Sequence, residues 1–190
     1  MLSRLIHSAD GFVWEADVTF SRLFVGSLFF AVAAFCVGCN EELGPLNEPS
    51  GFSGVISFKN WPPATDIKEM RLVAFEEIPT DSASVIPMLL AGKAAVFPPV
   101  PGDYFQTLVD SIPYVFTDKS GTNLQVKEYP YVAVMYQYGP NILRDWRPAG
   151  VYSKGPGMFD PAPVRVILHH VLTDINIRVD FNNLPPPPWR

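Results

Sequence analysis

The chain has 190 residues, 14 Lys+Arg against 19 Asp+Glu for a formal charge of −5, two cysteines and 20 prolines. The acidic balance and the lack of any basic run exclude a nucleic-acid footprint, which needs a basic face. Proline at about twice the usual ~5% excludes a helical bundle, 48% hydrophobic and 13% aromatic residues exclude a disordered chain, and two cysteines exclude a disulfide-rich scaffold.

Residues 1–21 contain Asp10, Trp14, Glu15 and Asp17, unlike the short basic n-region of an export signal. A translation start near Val18 or Thr19, with 1–17 a mis-assigned upstream stretch, is the simplest explanation. Residues 23–39, LFVGSLFFAVAAFCVGC, carry no charge, follow Arg22 and precede Asn40-Glu41-Glu42. A basic residue, a short apolar run and small residues at its end are the parts of an export signal. The run falls short of the about 20 apolar residues of a spanning helix. A helical signal segment ending at residue 38 is therefore expected. The alternative is an uncleaved N-terminal helix that stays as a membrane anchor.

Val37-Gly38-Cys39 resembles the bacterial lipobox, with Cys36 where such signals usually carry leucine. The resemblance implies cleavage between Gly38 and Cys39, a diacylglycerol thioether on Cys39 and an acyl chain on its new amino group. More than one chain is what stable lipid anchoring requires. Beyond this covalent lipid no cofactor is implied. The implied location is the bacterial cell envelope, attached to the membrane by the lipid. Asn40 in place of aspartate favours the outer membrane. Glu41-Glu42 resembles an acidic pair used for surface display, so a periplasmic and a surface face both stay open. Residues 39–50 read as a flexible tether.

From residue 39 onward, 12 basic and 16 acidic side chains leave a charge of −4, and residues 51–183 read as one domain. FSGVISF at 52–58 places Phe52, Ile56 and Phe58 on one face and Ser53 and Ser57 on the other. MRLVAF at 70–75 and YVAVMY at 131–136 are nearly continuous apolar runs, which suits central strands covered on both faces. INIRVDF at 175–181 alternates throughout, the mark of a strand with one wet face and of an antiparallel sheet. Further strands are expected at 104–109, 112–116, 124–128 and 164–171. An excursion at 81–92 could hold a short helix capped by Asp81 and ended near Gly92, with Pro87 inside it. The fold class read from these elements is all-β: a single antiparallel β-sandwich of about seven strands, prealbumin- or Ig-like. Residues 184–190 form a polyproline tail whose Trp189 suggests that it is pinned.

The opening Gly51-x-x-Gly54-x-Ile56-x-Phe58 strand, the tyrosine-rich run from Tyr129 to Tyr136 and the closing Ile-x-Ile-x-Val-x-Phe strand resemble the transthyretin-like, or carboxypeptidase-regulatory-like, β-sandwich of bacterial envelope proteins. That resemblance implies a seven-stranded interaction module without its own catalysis. Several segments, WPPATDIKEMRLVAFEEIP among them, also look like an uncharacterised lipoprotein family, which implies a location and no activity.

No residue pattern declares catalysis or a metal. His169 and His170, as neighbours on a strand, would point to opposite faces and cannot chelate one ion together. Glu76-Glu77 and the pair Asp174 and Asp180 are the carboxylates to name for acid–base work, and Asp174, Asn176 and Asp180 for calcium. The stretch 136–152 reads as a connection of about a dozen residues carrying Tyr138, Arg144, Asp145, Trp146, Arg147 and Tyr152. Aromatic rings beside Arg and Asp are what sugar or peptide recognition uses. Against this, Trp146 would simply cap the core, a role that Trp61 shares. The expected function is a non-catalytic, lipid-anchored binding or assembly module with an envelope protein or a glycan as partner. The alternative is a carbohydrate-binding or carbohydrate-processing surface lipoprotein that uses the Trp146 loop.

Overall fold

The computed structural model describes residues 48–155 and 159–189. The leader, the signal segment, Gly38, Cys39 and most of the tether lie outside these described residues. Ten strands occur among them: β1 (Gly51–Lys59), β2 (Glu69–Phe75), β3 (Ala94–Phe97), β4 (Ser111–Thr117), β5 (Glu128–Tyr129), β6 (Tyr131–Gln137), β7 (Trp146–Val151), β8 (Val164–Arg165), β9 (Val171–Leu172) and β10 (Ile177–Asp180). The fold is all-β, as the alternating patterns require. One sheet has the order β10-β1-β4, with β9 also on β1; a second has the order β3-β2-β6-β7; β5 and β8 form a short ribbon.

The two larger sheets share a core. Phe52, Ile56, Phe116, Ile177 and Val179 of the first meet Met70, Leu72, Ala74, Val132 and Val134 of the second. Gly150 on β7 lets them approach, since a Cβ there would lie 2.6 Å from the Arg178 carbonyl oxygen on β10. Trp61 closes one end of this core. It stacks on Phe58 at 4.7 Å and on Phe181 at 4.8 Å, and its indole N–H donates to the Val109 carbonyl at 2.8 Å.

The continuous apolar runs are central strands buried on both faces, as expected: every residue of β6 is buried, and so are the last six of β2. The far face of the second sheet carries Val73, Phe75, Tyr131, Met135 and Trp146. It is covered by helix α1 (Val85–Leu90) and by Trp189 of the tail. Asp81 caps the 3-10 turn that leads into α1; its carboxylate accepts the Ser84 N–H at 2.7 Å. Pro87 is tolerated because it sits in the helix's first turn, where its missing N–H has no intrahelical partner to lose. Gly92 ends the element with φ +72°.

Several expectations need correcting. The closing strand is not antiparallel to its neighbour: β9 and β10 both run parallel to β1. Alternation reports one wet face and carries no information on strand direction. The two form one line along β1, but the pairing offset grows from 120 (Gly51↔Val171) to 121 (Ile56↔Ile177), so one extra residue is inserted between them. The bulge contains Asp174 at φ +63° and is patched from the neighbouring strands. Tyr114 donates its hydroxyl to the Ile175 carbonyl at 2.6 Å, and the Asn176 side-chain oxygen accepts the Val55 N–H at 2.8 Å. Gly54 sits opposite, where a Cβ would come within 2.3 Å of the Ile175 oxygen.

The expected strand at 104–109 is absent; Leu108 is in the left-handed region at φ +61°, which interrupts any extended run. The one at 124–128 begins pairing only at Glu128, and the one at 164–171 is split by a turn at His169, φ +55°. Conversely, β3 and β7 were not expected. β3 is only four residues long. The β7 sequence WRPAGV hides its period behind a proline, a glycine and a register shift opposite Val134 and Met135.

Candidate functional site

The six residues expected at 138–152 are not gathered into one site: Tyr138 and Arg147 both meet Tyr136, and the Tyr138 N–H donates to the Asp145 carbonyl at 3.0 Å, while Trp146 and Tyr152 are buried in different core clusters. Because 146–151 is a strand, the connection is only residues 138–145, and it is braced from within. Asp145 accepts the Asn141 N–H at 2.7 Å, and Asn141 in turn accepts the Leu143 N–H at 3.0 Å. Trp146 points to the far face of the second sheet, is 5% exposed, and donates its indole N–H to the Ile142 carbonyl at 2.6 Å. Arg147, the next residue of the strand, faces the other way, opposite Tyr136. Burial raises the Tyr136 hydroxyl above the usual tyrosine pKa, against Arg147, which lowers it. Tyr138 is exposed and meets Tyr136 edge-on at 6.3 Å, while Tyr152 is buried in the core between the sheets. Arg144 is exposed at the tip of the connection.

The carboxylates named for acid–base chemistry are separately engaged. Glu76 pairs with Lys127 at 2.6 Å and Glu77 with Lys93 at 3.1 Å. Asp180 accepts from Asn60 at 2.8 Å and from the Asn182 N–H at 3.0 Å, and Asp174 accepts the Thr173 hydroxyl at 3.2 Å. Among the described residues no group of three or more His, Cys, Asp or Glu side chains converges on a metal position. His169 and His170 lie in a turn and not along a strand. His169 donates its backbone N–H to the Ser50 hydroxyl at 3.0 Å, and His170 donates its own to the Ile167 carbonyl at 3.3 Å.

What the far face of the second sheet does hold is a half-open apolar cavity of about 370 Å³. Val73 of β2 and Ala94 and Val96 of β3 make its floor. Val85, Ile86 and Leu89 of α1 make one wall, and Trp146 and Ile142 another. The mouth is unusually apolar for a surface: Leu90 is 84%, Val100 62% and Ile142 53% exposed. This size lies within the roughly 300–1,000 Å³ range of small-ligand pockets.

Arg71 shapes the rim, and sequence reading passed over it. On β2 it alternates onto the far face, where the core leaves it 5% exposed. Its guanidinium is satisfied by Glu69 and by four carbonyls of one turn: Pro98 at 2.5 Å, Pro99 and Asp103 at 3.1 Å, and Gly102 at 3.1 Å. A buried charge survives only when paired and hydrogen-bonded in this way. Arg71 thus holds the 98–103 turn, and with it Val100, over the mouth. The signals for this site were a lone arginine inside an apolar run and a helix, VIPMLL, with no polar face at all. No family model, curated protein or solved structure matches the chain.

Proposed function

We propose that the mature chain is a non-catalytic, lipid-anchored protein of the bacterial cell envelope, and that its β-sandwich is a binding or assembly module. The observation that carries the binding part is the apolar cavity beside α1, with exposed Leu90, Val100 and Ile142 around its mouth. Exposed aliphatic side chains grouped at a concavity mark interaction sites on soluble domains. Seven strands in the two facing sheets, counting β9 and β10 as one interrupted strand with β1 to β4, β6 and β7, agree with a transthyretin-like sandwich. The anchoring part rests on Val37-Gly38-Cys39, and the outer membrane is the favoured side because Asn40 follows the cysteine. Carboxylates tied into ion pairs and backbone hydrogen bonds support the non-catalytic reading.

Two measurements test this. Cells fed radiolabelled palmitate should incorporate label into the protein, and Cys39→Ala should abolish it; an unlabelled wild-type protein overturns the anchor. For the pocket, anilinonaphthalene sulfonate should fluoresce on binding the folded domain, and Val96→Phe, which fills the floor, should remove most of the signal. Equal fluorescence from both proteins overturns the pocket as a site.

A further inference from the structure

We infer that the end of the domain from which the tether leaves is a membrane-seating surface, in which Val126, Ile167 and Leu168 rest in the headgroup region of the bilayer that holds the lipid on Cys39. The inference rests on the lipid-anchored reading above.

Three large aliphatic side chains are exposed at this end: Val126 at 48%, Ile167 at 47% and Leu168 at 60%. All three flank the outer end of the β5–β8 ribbon or the turn that follows it. The β5–β8 ribbon pairs Glu128 with Arg165, and the Val166 N–H continues the ladder by donating to the Lys127 carbonyl at 2.9 Å. Val126 precedes this ladder on one segment, Ile167 follows it on the other, and Leu168 lies at the turn beyond. None of the three packs into either core cluster.

The occupant follows from where the chain runs. The same turn is bolted to the first described residues of the domain. His169 donates its N–H to the Ser50 hydroxyl at 3.0 Å, its ring Nδ1 lies 3.2 Å from the Glu48 carbonyl oxygen, and the Gly51 N–H donates to the His170 carbonyl at 3.0 Å. From Glu48 back to Cys39 is nine residue steps, about 30 Å even at full extension. An apolar patch adjoining the first residues of the domain, on so short a leash, is held within reach of the bilayer. Aliphatic residues in such a position bury at the boundary of headgroups and acyl chains.

The test uses the full chain, exported and lipidated in cells, then reconstituted into phosphatidylethanolamine–phosphatidylglycerol vesicles. With Cys39 acylated, a cysteine introduced at position 168 (Leu168→Cys) or, as control, at the exposed Val115 (Val115→Cys) is the thiol that takes a bimane label. Spin-labelled lipid quenchers placed just below the headgroups should quench the label at 168 at least about threefold more than the label at 115, because a seated side chain lies within 5–10 Å of that depth. Equal or no quenching at 168, on protein that floats with the vesicles, overturns the seating surface and leaves the patch to a protein partner. Protein that neither floats nor carries palmitate fails at the anchor itself and removes the inference with it.

Discussion

Tyr114 is a hydroxyl in an apolar core that closes the one gap in the first sheet, and its chemistry is testable by pH. Its O–H donates to the Ile175 carbonyl inside the bulge. Burial pushes its pKa well above the usual tyrosine value, with nearby Tyr152 adding to the rise, and burial alone does the same for Tyr131. An acid whose folded pKa is raised holds its proton in the folded state after the unfolded chain has lost it. The stability this contributes is fully present below the unfolded value of about 10 and is lost as pH climbs beyond it. Urea denaturation should therefore show stability falling above about pH 10, by up to about 1.4 kcal/mol per pH unit for each such tyrosine. Tyr114→Phe should cost about 1 kcal/mol at pH 7, from the carbonyl left without its donor, and should make the alkaline fall shallower. An unchanged alkaline slope would show that Tyr114 does not supply it. Trp146 gives the second prediction at this scale. As a cavity wall and core residue, Trp146→Ala should lower stability by about 3–5 kcal/mol in the same assay. A sugar platform would instead lose glycan binding on an array with stability intact.

At the scale of elements, α1 is six residues long, too short to persist without tertiary support and a cap. Asp81→Ala removes the capping box and should cost about 1 kcal/mol. The loss should be read locally, as faster hydrogen exchange at the Gly92 and Lys93 amides that close the helix on Leu89 and Met88. An unchanged exchange rate would mean that packing on Val73 and Val96, not the cap, holds the element. The short helix was legible in the sequence because Asp81 and Gly92 are local signals with local causes. So were the central strands, because six consecutive apolar residues in β6 and an apolar run broken only by Arg71 in β2 leave no polar face for water. β7 was not legible, since its pleat is broken by a bulge whose existence depends on the strand paired with it. Nor was the parallel course of β10, because a strand's own residues are patterned by water on one face and not by its partner's direction.

At the scale of the whole molecule, both core clusters lean on the second sheet, one on each face. The tail ties them together. Leu184 packs against the core between the sheets and Trp189 against the far one, so the polyproline segment crosses from one to the other. A shared central sheet predicts one cooperative transition: tryptophan fluorescence and far-ultraviolet circular dichroism should give coincident urea curves, and separated midpoints would show that the far face melts alone. By itself the sequence determined an all-β domain, the two doubly buried strands, the short helix between Asp81 and Gly92 and a pinned tail, all in an acidic chain. Each of these follows from composition or from periodicity over fewer than about a dozen residues. Only the tertiary structure decided that Trp146 lines a cavity wall while Arg147 faces the opposite core. It also decided that Arg71 holds a turn some 30 residues away and that His169 sits beside Ser50. Those are contacts between segments far apart in the chain, and local patterning carries no record of which segments folding will bring together.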